Sequence, residues 1–328
     1  MRILVTGAAG YIGSHFVRRL LKRSATVEII AVDNLSEGHS QSLPQSTNLK
    51  VCNADIADIK AMSEITMGKG IDALVHFAAH AYVGESQKLP FKYFDNNVIG
   101  SLNLFKVLSQ TGIDKVIFSS SCTTYGEPEY VPINENHPLK PINVYGTTKR
   151  MIEQGLEALS YSSGWSYICL RYFNASGADD SAEIGESHDP ETHLIPLALQ
   201  TALGKREKLS IFGDDYDTPD GTCIRDYVHV NDLADAHCLA LERILSENLS
   251  EGINLGTSVG ASVGEIIELA EKVSGKEVKR EIVKRRPGDP ARLVADYSKA
   301  RQLLGWQPQY DLEKTISTAW QWEMNRKY

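Results

Sequence analysis

The chain has no long apolar run. Nowhere among its 328 residues does a stretch reach the roughly 18 apolar residues that a membrane-spanning helix needs, so no membrane partner is expected. Cysteine is sparse: Cys52, Cys122, Cys169, Cys223 and Cys238 are odd in number and contain no Cys-x-x-Cys pair. That pattern leaves no disulfide framework and reads as reduced thiols in a cytoplasmic protein. Basic residues are in deficit, 34 Lys and Arg against 42 Asp and Glu, for a net charge of −8. Nucleic-acid binding needs a basic footprint, so no nucleic-acid partner is expected; a small phosphorylated ligand needs only a few local cations. The first apolar strand begins at Arg2, which leads to the expectation of no signal peptide. Internal repeats and low-complexity tracts are also missing.

What is present is an ordinary globular composition, 42% hydrophobic and 23% charged, in a chain long enough for one large domain and a smaller lobe. Continuous apolar runs of strand length occur at 3–5, 29–32, 74–77 and 116–119. Helix-periodic segments separate them at 12–22, 60–67 and 96–108. Strands apolar on both faces that alternate with helices predict an α/β fold with a doubly wound parallel sheet. Past Asn174 the pattern loosens into two long polar loops, 180–193 and 213–222, and then helices at 232–245, 263–273 and 298–304. These predict a second, smaller α/β lobe whose loops bind a ligand.

The first strand runs into Gly7-Ala8-Ala9-Gly10-Tyr11-Ile12-Gly13, and a helix follows. A Gly-rich loop in that context is a dinucleotide fingerprint: one glycine makes the tight turn, one admits the pyrophosphate, one lets helix and strand pack. The helix N-terminus adds free N–H groups and a positive dipole end. Asp33 ends the second strand twenty residues after Gly13, where a carboxylate accepts from ribose hydroxyls and repels a 2′-phosphate. Asn34, Leu35 and Ser36 follow with no Arg, so NAD is expected over NADP. Asp55, after the third strand, is a second adenine-side candidate.

Tyr145 and Lys149 stand one helical turn apart, on one face of a helix. An ammonium beside a phenol favours phenolate and lowers a pKa that starts near ~10. Such a phenol accepts a proton from a sugar hydroxyl while a nicotinamide accepts hydride.

With these residues in place, the chain resembles the extended short-chain dehydrogenase/reductases, and more narrowly the UDP-glucose (UDP-galactose) 4-epimerase family. The resemblance runs over nearly the whole length. It is carried by Gly84-Glu85-Ser86, Tyr93-Phe94-Asp95-Asn96-Asn97, Phe118-Ser119-Ser120-Ser121, Leu170-Arg171-Tyr172-Phe173-Asn174 and Arg225-Asp226-Tyr227-Val228-His229-Val230. It implies a Rossmann-type NAD-binding domain over 1–174 and a UDP-sugar-binding domain over 175–328, with the segment near 225–245 packing back on the first. It implies a reversible inversion at sugar C4 through a 4-keto intermediate, by an isomerase of galactose metabolism that acts as a homodimer.

The resemblance also implies roles by position. Ser121 would bond the sugar 4-oxygen, Tyr145 would move its proton, and Lys149 would hold the nicotinamide ribose and depress the Tyr145 pKa. Tyr11, Ile12, Asn34, Asp55 and Ile56 would lie on the adenine side of NAD. Phe77, Ala78, Ala79 and Asn97 would line its middle, and Phe173 its nicotinamide end. Asn174, Leu194, Phe212, Arg225, Arg286 and Asp289 would meet the UDP half; planar arginines suit a pyrophosphate. Leu293, reached through Arg286-Pro287-Gly288-Asp289, would border the hexose. Members acting only on glucose and galactose are bulky there, and members accepting N-acetylhexosamines are small; Leu lies between. UDP-N-acetylglucosamine and a UDP-xylose/UDP-arabinose pair therefore stay open as alternatives.

The chain departs from the common pattern at Cys122 and Thr124, at Ala81 in place of a lysine, and at His193 in place of a uridine-side Asn. His188, Asp189, Glu191 and His193 suggest a metal cluster, but their spacing matches no helical zinc motif and the family uses no metal. No metal is expected. A 4,6-dehydratase on the same scaffold needs a carboxylate pair after the Ser/Thr position; here Ser121 is followed by Cys122 and Thr123. A non-catalytic NAD-binding sensor would not need Ser121, Tyr145 and Lys149 together.

Overall fold

The computed structural model describes residues 1–286 and 289–328. Pro287 and Gly288, part of the run that places Leu293, lie outside the described residues.

The first half of the chain builds β1 (Arg2–Thr6), α1 (Tyr11–Arg23), β2 (Glu28–Asp33), β3 (Leu49–Asn53), α2 (Ile59–Thr66) and β4 (Ala73–His76). Next come α3 (Val83–Lys88), α4 (Pro90–Tyr93), a π-helical turn (Phe94–Ile99), α5 (Gly100–Thr111), β5 (Lys115–Ser121), α6 (Val144–Ser163) and β6 (Ser166–Tyr172). The second half adds β7 (Asn174–Ser176), α7 (Leu194–Ala202), β8 (Leu209–Phe212), β9 (Ile224–His229), α8 (Val230–Ser246) and β10 (Ser250–Leu255). It ends with β11 (Gly260–Ser262), α9 (Val263–Ser274), β12 (Arg280–Val283), β13 (Arg292–Leu293), α10 (Ser298–Leu304) and α11 (Leu312–Asn325).

Seven strands form one parallel sheet in the order β10-β6-β5-β4-β1-β2-β3. Side chains alternate across it, as the strand repeat demands. Ile3, Val5, Ile29 and Ala31 join the core layer that contains Phe16 and Val17 of α1 and Leu233 and Leu241 of α8. Leu4, Ile30, Val32 and Phe118 join the opposite layer, with Leu104 and Leu108 of α5 and Ile152 and Leu156 of α6. Both faces are covered, which is why these strands are apolar throughout. The chain winds outward from β1 to β3, then crosses back to β4 on the other side of β1. That switch point opens a crevice at the carboxyl ends of β1 and β4, where α/β sheets bind ligands.

After Asn174, the segment returns to this sheet. α8 shares the α1 layer, and β10 is the outermost strand, parallel to β6. A third core joins α7, α9 and α11 through Leu199, Ile266, Ile267, Ile316 and Trp320. Two small sheets flank it, β11-β9-β13 with β7 on β9, and β8 with β12. α9 begins with a reciprocal capping box between Ser262 and Glu265. Among the described residues no helix is long and apolar enough to cross a membrane.

The helix expected over 96–108 differs at its start, where Phe94–Ile99 is a π turn. The extra residue in that turn changes which side chain meets the crevice: Asn96 borders it, and Asn97 is fully buried. π turns of this kind recur at functional sites.

Candidate active site

The glycine loop occupies the crevice as its spacing requires. Gly7 has φ +69°, and a Cβ there would collide with the backbone of Phe77 and Ala78. A Cβ on Gly13 would strike the Gly7 carbonyl, so this glycine lets α1 pack on β1. A Cβ on Gly10 would meet only the Gly7 oxygen, at 3.4 Å. Gly10 instead faces the crevice as the N-cap of α1, whose first turn receives no side-chain cap. Free N–H groups and the dipole end are thus left for an anion.

Asp33 is 9% exposed. Its carboxylate accepts from the Ala9 and Leu35 N–H groups, each at 2.8 Å. Burial pushes its pKa up, and these two backbone donors hold it back. An open cavity of ≈ 530 Å³ runs along Gly7, Gly10, Asp33, Asn34, Ile56, Phe77, Ala78 and Ala79. This glycine cradle, free helix end and strand-end carboxylate fit a dinucleotide with a free ribose diol.

Other expected cofactor residues serve the walls of this cavity. Tyr11 donates its hydroxyl to the Gly177 carbonyl at 2.6 Å. Asp55 accepts from the Asn34 amide at 2.9 Å. Ile12 packs on the α1 core layer. Asn97 is spent on the chain itself: Oδ1 accepts from His80 N at 2.8 Å, and Nδ2 donates to His80 O at 3.0 Å and Thr148 Oγ1 at 3.1 Å. Sequence reasoning passed over Glu37, Gly38, Ala54, His80 and Asn96, which also line the cavity. Only Gly38 carries a local signal, since a Cβ there would press on the Asp33 carboxylate.

The three expected catalytic residues converge at the end of β5 and the start of α6. Asn143 caps α6 by accepting from Gly146 N at 2.7 Å. Farther along, Glu153 locks the helix to the sheet: it accepts from Arg171 at 2.8 and 2.9 Å and from Ser120 Oγ at 2.7 Å. Ser121, 6% exposed, accepts from Thr123 N at 3.2 Å and Thr123 Oγ1 at 3.0 Å. Thr124 donates to the Ser121 carbonyl at 2.8 Å, so the unusual residue there supports the strand end.

Tyr145 is 7% exposed, and Ser86 Oγ accepts from its backbone N–H at 3.1 Å. The expected lowering of its pKa is corrected by the structure. Burial, and then Tyr172, push the phenol well above its usual value, while a hydrogen bond with Ser121 pulls it back. Lys149 is itself buried, 2% exposed, and burial pushes its pKa down to about 7 against the opposing pull of Glu153. Its Nζ lies 5.7 Å from the Tyr145 ring centroid and 4.8 Å from that of Phe118.

The residues expected on the UDP side come from five separated segments. Arg225 of β9 pairs with Asp289. The Arg286 guanidinium stacks 3.8 Å from the Phe212 ring centroid. Asn174 donates to the Asp226 carbonyl at 2.9 Å, and Leu194 opens α7. Leu293 pairs in register with Arg225 and packs in a small cluster with Phe173, Cys122 and Tyr125. Leu293 is thereby joined to the neighbour of Ser121. Ala81 is exposed. His193 belongs to a group with Glu186, His188 and Glu191, in which Glu186 stands where Asp189 was expected.

Comparison with known proteins agrees with this geometry. The profile of the NAD dependent epimerase/dehydratase family matches residues 3–256. A UDP-glucose 4-epimerase of Halalkalibacterium halodurans is 48% identical over 98% of this chain and 95% of its own. The crystal structure of UDP-glucose 4-epimerase from Brucella ovis in complex with NAD superposes with TM-score 0.93, at 44% identity over 97% of each chain. The UDP-Glc/GlcNAc 4-epimerase of Campylobacter jejuni superposes with TM-score 0.86, at 44% identity over 99% of each chain. A likeness this strong over the full length, together with the glycine cradle and the Ser121, Tyr145 and Lys149 group, places the chain in the NAD dependent epimerase/dehydratase family, on its UDP-glucose 4-epimerase branch.

Proposed function

We propose that the chain interconverts UDP-glucose and UDP-galactose by reversible oxidation at C4, with NAD retained through the cycle. The observation that carries this is the meeting of Ser121, Tyr145 and Lys149 beside a cradle built for a dinucleotide. NAD supplies a hydride acceptor and donor at C4. Tyr145 takes the O4 proton and returns it, and Ser121 bonds the 4-oxygen and positions the Tyr145 phenol. Lys149 holds the nicotinamide ribose and, when charged, offsets part of the burial that raises the Tyr145 pKa. Asp33 holds the adenine ribose. Asn174, Leu194, Phe212, Arg225, Arg286, Asp289 and Leu293 hold the UDP-sugar, and the 4-keto sugar turns between the two hydride transfers. Residues 1–174 serve NAD and 175–328 serve the UDP-sugar, with α8 and β10 returning to the first part.

Incubation of the purified protein with UDP-galactose, followed by detection of UDP-glucose, tests the reading. No conversion by protein shown to contain NAD would favour a sensor instead. A 4-keto-6-deoxy product would point to a dehydratase, against the absence of carboxylates after Ser121.

The active form in this proposal is a homodimer in which α5 and α6 pair with their copies across a two-fold. Ile99 and Leu102 are exposed at 50% and 46%, and Met151 at 40%. Leu102 and Met151 lie on the two helices concerned and Ile99 caps the start of α5, and closed two-fold dimers are the commonest assembly. A monomeric mass at micromolar concentration would refute this part alone.

A further inference from the structure

The loop before α7 carries Glu186, His188, Glu191 and His193 within one eight-residue stretch. No role in the proposed reaction uses them as a group. The fold closes the four into a ring. Glu186 Oε1 lies 3.3 Å from His188 Nδ1 and 2.7 Å from His193 Nδ1. Glu191 completes it, with Oε2 at 3.7 Å from His188 Nδ1 and Oε1 at 3.1 Å from His193 Nδ1. All four donor positions fall within 4.8 Å of one another.

Two of these atoms are orphaned. The Glu191 side chain is 5% exposed; its Oε1 accepts from the Thr192 and His193 N–H groups, whereas its Oε2 and the Nδ1 of His188, paired only by charge at 3.7 Å, are sealed from solvent and make no hydrogen bond among the described residues. Buried polar atoms are rarely left so, and such a group calls for a partner. Both orphans point into the same ring.

We propose that this ring is a structural site for one divalent transition-metal ion of the zinc type. Tetrahedral zinc with N and O donors at roughly 2.0–2.2 Å sets its donors about 3.3–3.6 Å apart. The four ring edges straddle that spacing, so small side-chain shifts suffice. Two carboxylates balance the charge of a divalent ion; the two imidazoles, which against the pull of burial the glutamates hold above their usual pKa, release their protons to solvent on binding and complete a set of borderline donors. Imidazole nitrogen selects against calcium and magnesium, which take oxygen. Helical spacing is not needed, because an irregular loop supplies the ligands.

The site also has an evident purpose. The Trp322 indole donates to the Glu186 carbonyl at 2.7 Å, and Tyr11 of the glycine loop stands edge-on to His188 at 6.4 Å between centroids. Leu194, expected to meet the UDP half, directly follows His193. A bound ion would therefore brace the loop between the cofactor cradle and α7.

The test uses the NAD-containing full chain, stripped with EDTA, dialysed and titrated with zinc chloride by calorimetry. One ion per chain is expected. Zinc should raise the thermal midpoint, and magnesium at the same concentration should not. Glu191→Gln should weaken zinc binding by more than the roughly 10–100-fold that follows loss of a ligand's outer partner, and should remove the thermal response. His188→Gln gives an independent second variant should the first fold poorly. Wild-type protein that binds no stoichiometric zinc would overturn the proposal and leave the four side chains as ion pairs. Unchanged affinity in both variants would overturn it equally, by placing the metal elsewhere.

Discussion

Lys149 Nζ donates to the Ser119 carbonyl at 2.7 Å, which anchors the charge of α6 on the strand that carries Ser121. This single bond sets where the lysine can act. The ammonium sits against the Phe118 and Tyr145 rings, in surroundings that disfavour its own charge. Tyr145 and Lys149 therefore share one desolvated space, in which each group's ionisation is costly.

The pH dependence of stability follows from the depressed lysine. The folded pKa of about 7 lies below the unfolded value of roughly 10.4, so between these limits the unfolded chain binds the extra proton. Stability then rises with pH across this window. Relative to Lys149→Met, wild type should be least stable at and below pH 7 and gain as pH approaches 10. Denaturant titrations of both proteins at several pH values check this; a difference that is constant across the window would refute it.

Removing the phenol isolates the proton transfer. Tyr145→Phe should keep its NAD and its affinity for UDP while kcat falls roughly 10²–10⁴-fold, the usual share of general acid–base catalysis. Turnover with a coupled assay, alongside NAD content, is the measurement. Wild-type turnover would move the base elsewhere.

The two glycines of the loop should separate stability from cofactor binding. Gly7→Ala places a side chain at φ +69° against the Ala78 backbone, and should cost on the order of 1–3 kcal/mol or more. Gly10→Ala has room within the fold, so it should melt near wild type when both are freed of NAD, yet retain less cofactor. Equal NAD content in Gly10→Ala and wild type would show that Gly10 does not face the pyrophosphate.

Glu153 and Arg171 are almost sealed, with side chains 1% and 7% exposed. Glu153→Ala leaves a buried guanidinium unpaired and should cost about 3–5 kcal/mol, read from urea denaturation. A loss below 1 kcal/mol would mean that Arg171 finds another partner or water.

Leu293 tests substrate choice. Relief of overpacking worth ~1–3 kcal/mol corresponds to roughly a ten- to hundredfold rate. Leu293→Gly should therefore raise turnover of UDP-N-acetylglucosamine relative to UDP-glucose by about that factor. Wild type should show weak or no N-acetyl activity, and a wild-type preference for the N-acetylated sugar would refute both expectations.

The sequence by itself determined whatever depends on near neighbours. The strand and helix repeats, the glycines of one βα turn, and a Tyr and Lys one helical turn apart are local patterns, so the doubly wound sheet and the start of the site were legible from them. Tertiary structure alone decided what depends on distance through space. It buried Lys149 and Tyr145, which reversed the expected direction of the phenol's pKa, since ionisation answers to solvent that a sequence does not display. The π turn spent Asn97 on the His80 backbone and presented Asn96 instead. It joined Arg225 to Asp289 and Phe212 to Arg286 across 64 and 74 residues of chain. And it folded an irregular loop so that Glu186, His188, Glu191 and His193 face one point, an arrangement with no sequence period because no regular element sets it.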